Sequence, residues 1–168
     1  MILECNRLWQ YQQTETGLIL PYYTLPCLEW LVKQDISEWN VFEFGAGYSS
    51  IWWRAHCNTL TSIDHSKTWA KGMMAEWITD KTEFIEYIAK HSKLEEYNCI
   101  IVDSEYWREE CSAFCIPYLK SGGYLIIDNY ESENYDPKVN EHLFKDWPIQ
   151  IFKQPNHSTW QTAVLTKP

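Results

Sequence analysis

The stretch VFEFGAGYSS, from Val41 to Ser50, decides the fold. Val41 to Phe44 is a short strand, Gly45-Ala46-Gly47 turns the chain sharply, and Ser49 to His56 has helical spacing. Outward from this unit the alternation continues. Thr59 to Ile63 is a second strand with Asp64 at its end, and Lys67 to Trp77 a second helix. Phe84 to Ala89 reads as a third short strand. Asn98 to Val102 is a continuous apolar strand ending in Asp103, and Glu109 to Leu119 is helical. Ser121-Gly122-Gly123 turns into a buried strand, Tyr124 to Ile127, that ends in Asp128-Asn129. A helix begins at Pro137 and runs through Phe144, and Ile149 to Lys153 and Thr159 to Leu165 finish as strands. Strands alternating with helices predict a mostly parallel sheet covered on both faces, a three-layer αβα sandwich. Only Gln154 to Ser158 joins the last two strands, too short for a crossover helix, so they pair as an antiparallel hairpin at the sheet edge.

Before this pattern lie a polar segment, Gln10 to Thr16, a turn near Pro21, and a helix from Thr24 to Lys33 with Thr24 as cap and Pro26 in its first turn. No repeat or linker divides the 168 residues, so a single domain is expected. The net charge of −9, without a Lys/Arg cluster, argues against holding nucleic acid by its phosphates. No apolar run approaches the roughly 18 residues that span a bilayer, and the start Met1-Ile2-Leu3-Glu4 does not begin a signal peptide; a soluble, cytoplasmic protein is expected. The six cysteines (Cys5, Cys27, Cys57, Cys99, Cys111, Cys115) show no zinc or redox spacing and read as buried thiols. Asn156-His157-Ser158 matches a glycosylation pattern and is read as coincidence. Aromatic residues make up 16% of the chain, which serves either core packing or a stacking surface for a flat ligand.

In an open α/β sheet, ligands sit beyond the carboxyl ends of the strands. Polar residues collect there: Glu43, Gly45 and Gly47, then Asp64, Asp103, and Asp128 with Asn129. One such carboxylate is readily a helix cap, whereas four in register favour a binding crevice. The loop lacks the third glycine of a dinucleotide fingerprint, having Ser50 there, and contains no phosphate loop or nucleophile elbow. Asp64, seventeen residues beyond Gly47, stands where a carboxylate accepts hydrogen bonds from a ribose diol.

VFEFGAGYSS, TSIDHS, CIIVDSEYW and LKSGGYLIIDN resemble the successive motifs of class I S-adenosylmethionine-dependent methyltransferases, from Val41 to Leu165, and STWQTAVL resembles the last strand of that family's hairpin. The resemblance implies a Rossmann-like αβα sandwich, with residues 1–40 as a substrate-side segment and 41–168 as the cofactor-binding core. It implies that Glu43 receives the methionine ammonium, directly or through water, and that Gly45, Ala46 and Gly47 pass under the cofactor. It places Asp64 on the ribose, His65 beside the adenine, and Asp103 near the methionine end and the transferring methyl. Ser49 and Ser50 either donate hydrogen bonds to the cofactor or cap their helix. The family's adenine contact after strand three has no recognisable counterpart around Glu86 to Lys90.

Methyl transfer from a sulfonium is an in-line displacement helped by alignment and a polar environment. An acidic acceptor also needs its proton removed, which makes Asp103 and Asp128 the candidate catalytic groups. Cation-dependent O-methyltransferases place Asp, Asp and Asn where Asp103, Asp128 and Asn129 stand, a set suited to a hard cation. Here Tyr106 replaces the lysine those enzymes carry, with Arg108 the nearest cation, so a divalent metal is admitted but not favoured. Tyr106, Trp107, Asn129 and Tyr130 are the candidate acceptor contacts; Tyr22, Tyr23 and Tyr135 offer further walls, or simple packing. The expected function is methyl transfer to a small or medium-sized acceptor, oxygen or nitrogen undetermined. The rivals are a non-catalytic cofactor-binding subunit and a nicotinamide-dependent oxidoreductase. With nearly all of the chain from Val41 onward spent on the cofactor core, acceptor choice falls to the first forty residues, the loop from Tyr130 to Asp136, or a second copy in a homo-oligomer.

Overall fold

The computed structural model describes residues 2–3, 12–14, 17, 19–131, 135–157 and 159–168. Cys5, residues 132–134, Ser158, and the polar Gln10 to Thr16 segment apart from Gln12–Thr14 lie outside them. Seven strands form the main sheet: β1 Asn40–Phe44, β2 Thr59–Asp64, β3 Glu76–Trp77, β4 Tyr97–Val102, β5 Leu119–Asp128, β6 Ile149–Lys153 and β7 Gln161–Thr166. Their order is β3-β2-β1-β4-β5-β7-β6. The first five pair in parallel, and β7 runs antiparallel between β5 and β6, with Thr162 opposite Asp128 and Gln161 opposite Lys153. The expected hairpin is present, with β6 at the edge.

Among the described residues, six α-helices flank the sheet: α1 Leu25–Leu31, α2 Tyr48–His56, α3 Lys67–Met73, α4 Lys81–His91, α5 Arg108–Phe114 and α6 Glu141–Phe144. The continuous apolar strands divide by alternation, as a sheet buried on both sides requires. Val41, Cys99, Ile101, Ile126 and Val164 meet Leu28 and Leu31 of α1 and Trp52 and Trp53 of α2. Phe42, Phe44, Ile100, Val102, Leu125 and Ile127 meet Phe84 and Ile88 of α4 and Cys111 of α5. Cys27, Cys57, Cys99, Cys111 and Cys115 are free, and all but Cys57 are buried. Three short antiparallel strands, Ile2–Leu3, Gln12–Thr14 and Ile19–Leu20, make a separate small sheet.

The expected third strand is the main correction. Phe84 to Ala89 lies inside α4, where Phe84 and Ile88, one helical turn apart, are both fully buried. Asp80 starts that helix by accepting the Glu83 N–H at 2.9 Å. The true third strand is the exposed pair Glu76–Trp77, inside the segment read as the end of the second helix. That helix stops at Met73, because Met74 takes a left-handed conformation at φ 55°. The helix expected to reach Leu119 ends at Phe114, and Pro117 sits in a separate tight turn, Ile116–Tyr118. Ser121-Gly122-Gly123 lies within β5, at an irregularity in its pairing with β4, with Gly122 at φ +74°. The helix from Pro137 through Phe144 is split into a 3-10 turn, Pro137–Asn140, and α6.

Gly45 is the most crowded of the described glycines. It sits at φ +94°, and a Cβ there would lie 2.5 Å from the Asp103 carbonyl carbon and the Ser104 nitrogen. β1 therefore leaves the sheet against the end of β4 with no room for a side chain. Gly45→Ala is expected to lower stability by about 3 kcal/mol, whereas Gly47→Ala, at an extended φ with open space, costs less than about 1 kcal/mol. Urea denaturation of the two variants checks this contrast.

Candidate functional site

The parallel strands bring Glu43, Asp64, Asp103 and Asp128 to one end of the sheet, each in a different hydrogen-bonding arrangement. Glu43, the penultimate residue of β1, is fully buried. Its carboxylate accepts the hydroxyls of Ser49 at 2.5 Å, of Ser62 at 2.7 Å, and of Ser50. Burial pushes its pKa up to about 7, against the pull of the three serine hydrogen bonds. Glu43 thus stands beneath the glycine loop and fastens it to α2 and β2.

Asp64 holds the same loop from the side. Its two oxygens accept the Ala46 N–H at 2.8 Å and the Ser66 N–H at 2.6 Å. Burial raises its pKa against these two bonds. The Gly45 N–H is taken by the Ile63 carbonyl and the Gly47 N–H by Ser50 Oγ at 3.1 Å. All three N–H groups of Gly45-Ala46-Gly47 therefore have partners within the chain.

Asp103 follows β4, and α5 supplies its counter-ion. Trp107 takes a left-handed conformation at φ 62°, which ends the loop and starts the helix at Arg108. The Arg108 guanidinium, 4% exposed, then points back under the strand ends. Its Nη2 lies 3.2 Å from Asp103 Oδ1 and 3.5 Å from Asn129 Oδ1, its Nε donates to the Ser104 carbonyl at 2.5 Å, and its Nη1 donates to the Asp128 carbonyl. Burial lifts the Asp103 pKa to about 6, with Arg108 opposing. Asp128 is buried as well, and its carboxylate accepts the Thr162 hydroxyl at 2.6 Å. Thr162 Oγ1 in turn accepts the Thr24 N–H at 3.1 Å. Asp128 thereby ties the segment before α1 to the sheet, and burial raises its pKa strongly.

The aromatic candidates separate into two places. The His65 ring meets Tyr106 at 4.9 Å and Trp107 at 6.4 Å between centroids, and Trp107 packs edge-on against Phe84 at 5.4 Å. His65 Nε2 also lies 3.2 Å from Glu105. The pair read as an acceptor wall thus stands with the residue read as the flank of the adenine. Tyr130 packs on Tyr135 at 5.3 Å and lines a cavity of about 430 Å³ with Phe144, Trp147 and Leu165, toward α6. Tyr22, half exposed, stacks on Trp160 at 5.1 Å. Tyr23 is buried and accepts the Trp53 Nε1–H at 3.2 Å.

Sequence reading missed four participants. Ser62 and Thr162 complete the Glu43 and Asp128 networks, and neither serine nor threonine in a strand signals such a role. Trp160 stands in STWQTAVL, but nothing in that motif signals its stack on Tyr22. Arg108 was noted only as a nearby cation; an arginine opening a helix, against the helix dipole, was the signal that it needs acceptors.

These networks set a pH dependence. Folded Glu43 keeps its proton between its ordinary value of 4.5 and about 7, while the unfolded chain has lost it. The folded state binds the extra proton, so the contribution is whole below 4.5 and lost as pH rises through 7. Glu43→Gln removes the window, and the fall in wild-type stability from pH 4.5 to 7 should be larger than the variant's by on the order of 3 kcal/mol. Urea denaturation at pH 5 and pH 8 measures the difference.

No protein-family model and no curated protein matches the sequence. Solved structures do. NodS, an N-methyltransferase of Bradyrhizobium japonicum WM9 solved with S-adenosylhomocysteine, is 16% identical over 83% of this chain and 85% of its own, with a TM-score of 0.57. An rRNA methylase of Streptococcus thermophilus is 14% identical over 83% and 92%, with a TM-score of 0.59. TomG, an O-methyltransferase of Streptomyces achromogenes involved in tomaymycin synthesis and solved with S-adenosylmethionine, is 12% identical over 82% and 77%, with a TM-score of 0.58. The chain therefore has the fold of the class I S-adenosylmethionine-dependent methyltransferases, with no subfamily singled out.

Proposed function

We propose that the chain is an S-adenosylmethionine-dependent methyltransferase acting on a small or medium-sized acceptor. The observation that carries the reading is the state of the glycine loop. A dinucleotide site turns loop N–H groups toward a pyrophosphate. Here the N–H groups of Gly45, Ala46 and Gly47 are already engaged by Ile63, Asp64 and Ser50, which favours a cofactor without phosphates over a nicotinamide dinucleotide. The outer side of the loop is open: a Cβ on Gly47 would meet only Ser49 Oγ, at 3.9 Å.

In this reading Glu43 and Asp64 hold the loop in shape beneath the cofactor. Asp64 keeps a second lone pair on each oxygen for the ribose hydroxyls. His65, Tyr106 and Trp107 form an aromatic recess for the adenine, with Ile78, which follows β3, in place of the contact sought around Glu86 to Lys90. Bound S-adenosylmethionine supplies a methyl group activated on a sulfonium. Asp103 Oδ2, outside the Arg108 contacts, is the atom that orients the acceptor or takes its proton. With a pKa of about 6, Asp103 is mostly ionised near neutral pH and able to do so. Asp128, buried and bonded to Thr162, anchors the segment carrying Tyr22 to Thr24, and Asn129 and Tyr130 border the acceptor side.

Calorimetric titration with S-adenosylhomocysteine tests the reading. Wild type binds it and does not bind NAD, and Asp64→Ala weakens binding at least about tenfold, or 1.4 kcal/mol. Tyr106→Ala, at a half-exposed position, weakens it several-fold with an unchanged urea midpoint. Binding of NAD in place of S-adenosylhomocysteine, or affinity indifferent to Asp64→Ala, would sink the assignment.

A further inference from the structure

The resemblance to cation-dependent O-methyltransferases would put a divalent metal on Asp103, Asp128 and Asn129, and the structure shows what occupies those positions here. Arg108 Nη2 lies 3.2 Å from Asp103 Oδ1 and 3.5 Å from Asn129 Oδ1, so one nitrogen bridges two of the three would-be ligands. The third, the Asp128 carboxylate, is buried and bonded to Thr162, which holds the Thr24 N–H. A divalent ion coordinating Asp103 and Asn129 needs both oxygens at about 2.0–2.6 Å, which puts it in the place of that nitrogen and against a guanidinium charge. The donor set does not fit a metal.

We infer that Arg108 is a built-in cation that takes the place of the divalent ion, closing the site to metal and fixing Asp103 with only Oδ2 turned toward the crevice. The guanidinium is anchored well enough to do this. Four of its five N–H groups have acceptors on two separate segments: Asp103 and Ser104 after β4, and Asp128 (carbonyl) with Asn129 at the end of β5. Its side chain is 4% exposed, against 25% for Asp103, so the carboxylate and not the guanidinium meets the crevice. Arg108 is therefore a positioning residue that acts through Asp103. Asn129, at φ 48°, is held in its turn with its amide oxygen facing the same nitrogen. The inference concerns how the proposed methyl transfer would orient its acceptor, without chelating it, and can be tested without an acceptor.

Manganese titration followed by electron paramagnetic resonance reads the site directly. Wild type and Arg108→Lys, which keeps a cation, should show no saturable Mn²⁺ site. Arg108→Met, which keeps the bulk and removes the charge, should gain one of at least about tenfold higher affinity, through Asp103 and Asn129. Adding Asp103→Asn to Arg108→Met should abolish it. Saturable Mn²⁺ binding by wild type that Asp103→Asn removes would overturn the inference, as would a folded Arg108→Met that gains nothing. Should Arg108→Met fail to fold by circular dichroism, the wild-type and Asp103→Asn titrations decide between these outcomes alone. S-adenosylhomocysteine calorimetry on the wild-type sample separates the two readings, since lost cofactor binding would count against the methyltransferase proposal and leave the metal result standing.

Discussion

Four carboxylates end neighbouring parallel strands in a place largely shielded from water, and the rest of the architecture answers that one constraint. A buried carboxylate is costly unless donors replace its lost hydration. Each of the four is answered differently: three serine hydroxyls for Glu43, two backbone N–H groups for Asp64, a guanidinium for Asp103 and a threonine hydroxyl for Asp128. Those answers shape the site. Glu43 and Asp64 tie down the glycine loop, Asp103 fixes the start of α5 through Arg108, and Asp128 draws the segment before α1 over the sheet. The burial that imposes the cost also keeps the pKa of Glu43 and Asp103 near neutrality, where protons are exchanged easily.

The aromatic surplus has mostly gone into packing. On the α1–α2 face, Trp30, Trp39, Trp53, Tyr124 and Phe152 form a linked set of ring contacts between 5.1 and 6.5 Å. Phe42, Phe44, Phe84 and Tyr97 do the same on the opposite face. A small chain with a two-sided sheet must cover two apolar surfaces with short helices, and large rings cover more area per residue. By contrast, the group around His65, with Tyr106 and Trp107, and the Tyr22–Trp160 pair are partly exposed.

The central strands were legible because burial on both faces leaves unbroken apolar runs, Cys99 to Val102 and Leu125 to Ile127, closed by an acid. The hairpin was legible from the length of its connection. The third strand was not. Phe84 to Ala89 is short and partly apolar, a pattern that serves strand or helix equally, and the Asp80 cap was the detail that separates them. Glu76–Trp77, two exposed residues with no alternation to read, carries almost no strand signal. Losing that strand put the search for an adenine contact around Glu86 to Lys90, inside α4 and not directly after β3.

By itself the sequence determined the order of elements apart from β3 and α4, the glycine turn and the delivery of four acids to one end of the sheet, because periodicity and turn chemistry are local properties of the chain. The tertiary structure alone decided what each acid does. Ser62 reaches Glu43 across 19 positions and Thr162 reaches Asp128 across 34. Arg108 reaches Asp103 only because Trp107 reverses the backbone into α5. Hydrogen bonds and ion pairs act over about 3 Å in space with no memory of chain separation. Whether a strand-end acid faces a ligand, a loop or an internal cation is therefore settled only when the sheet brings its neighbours into place.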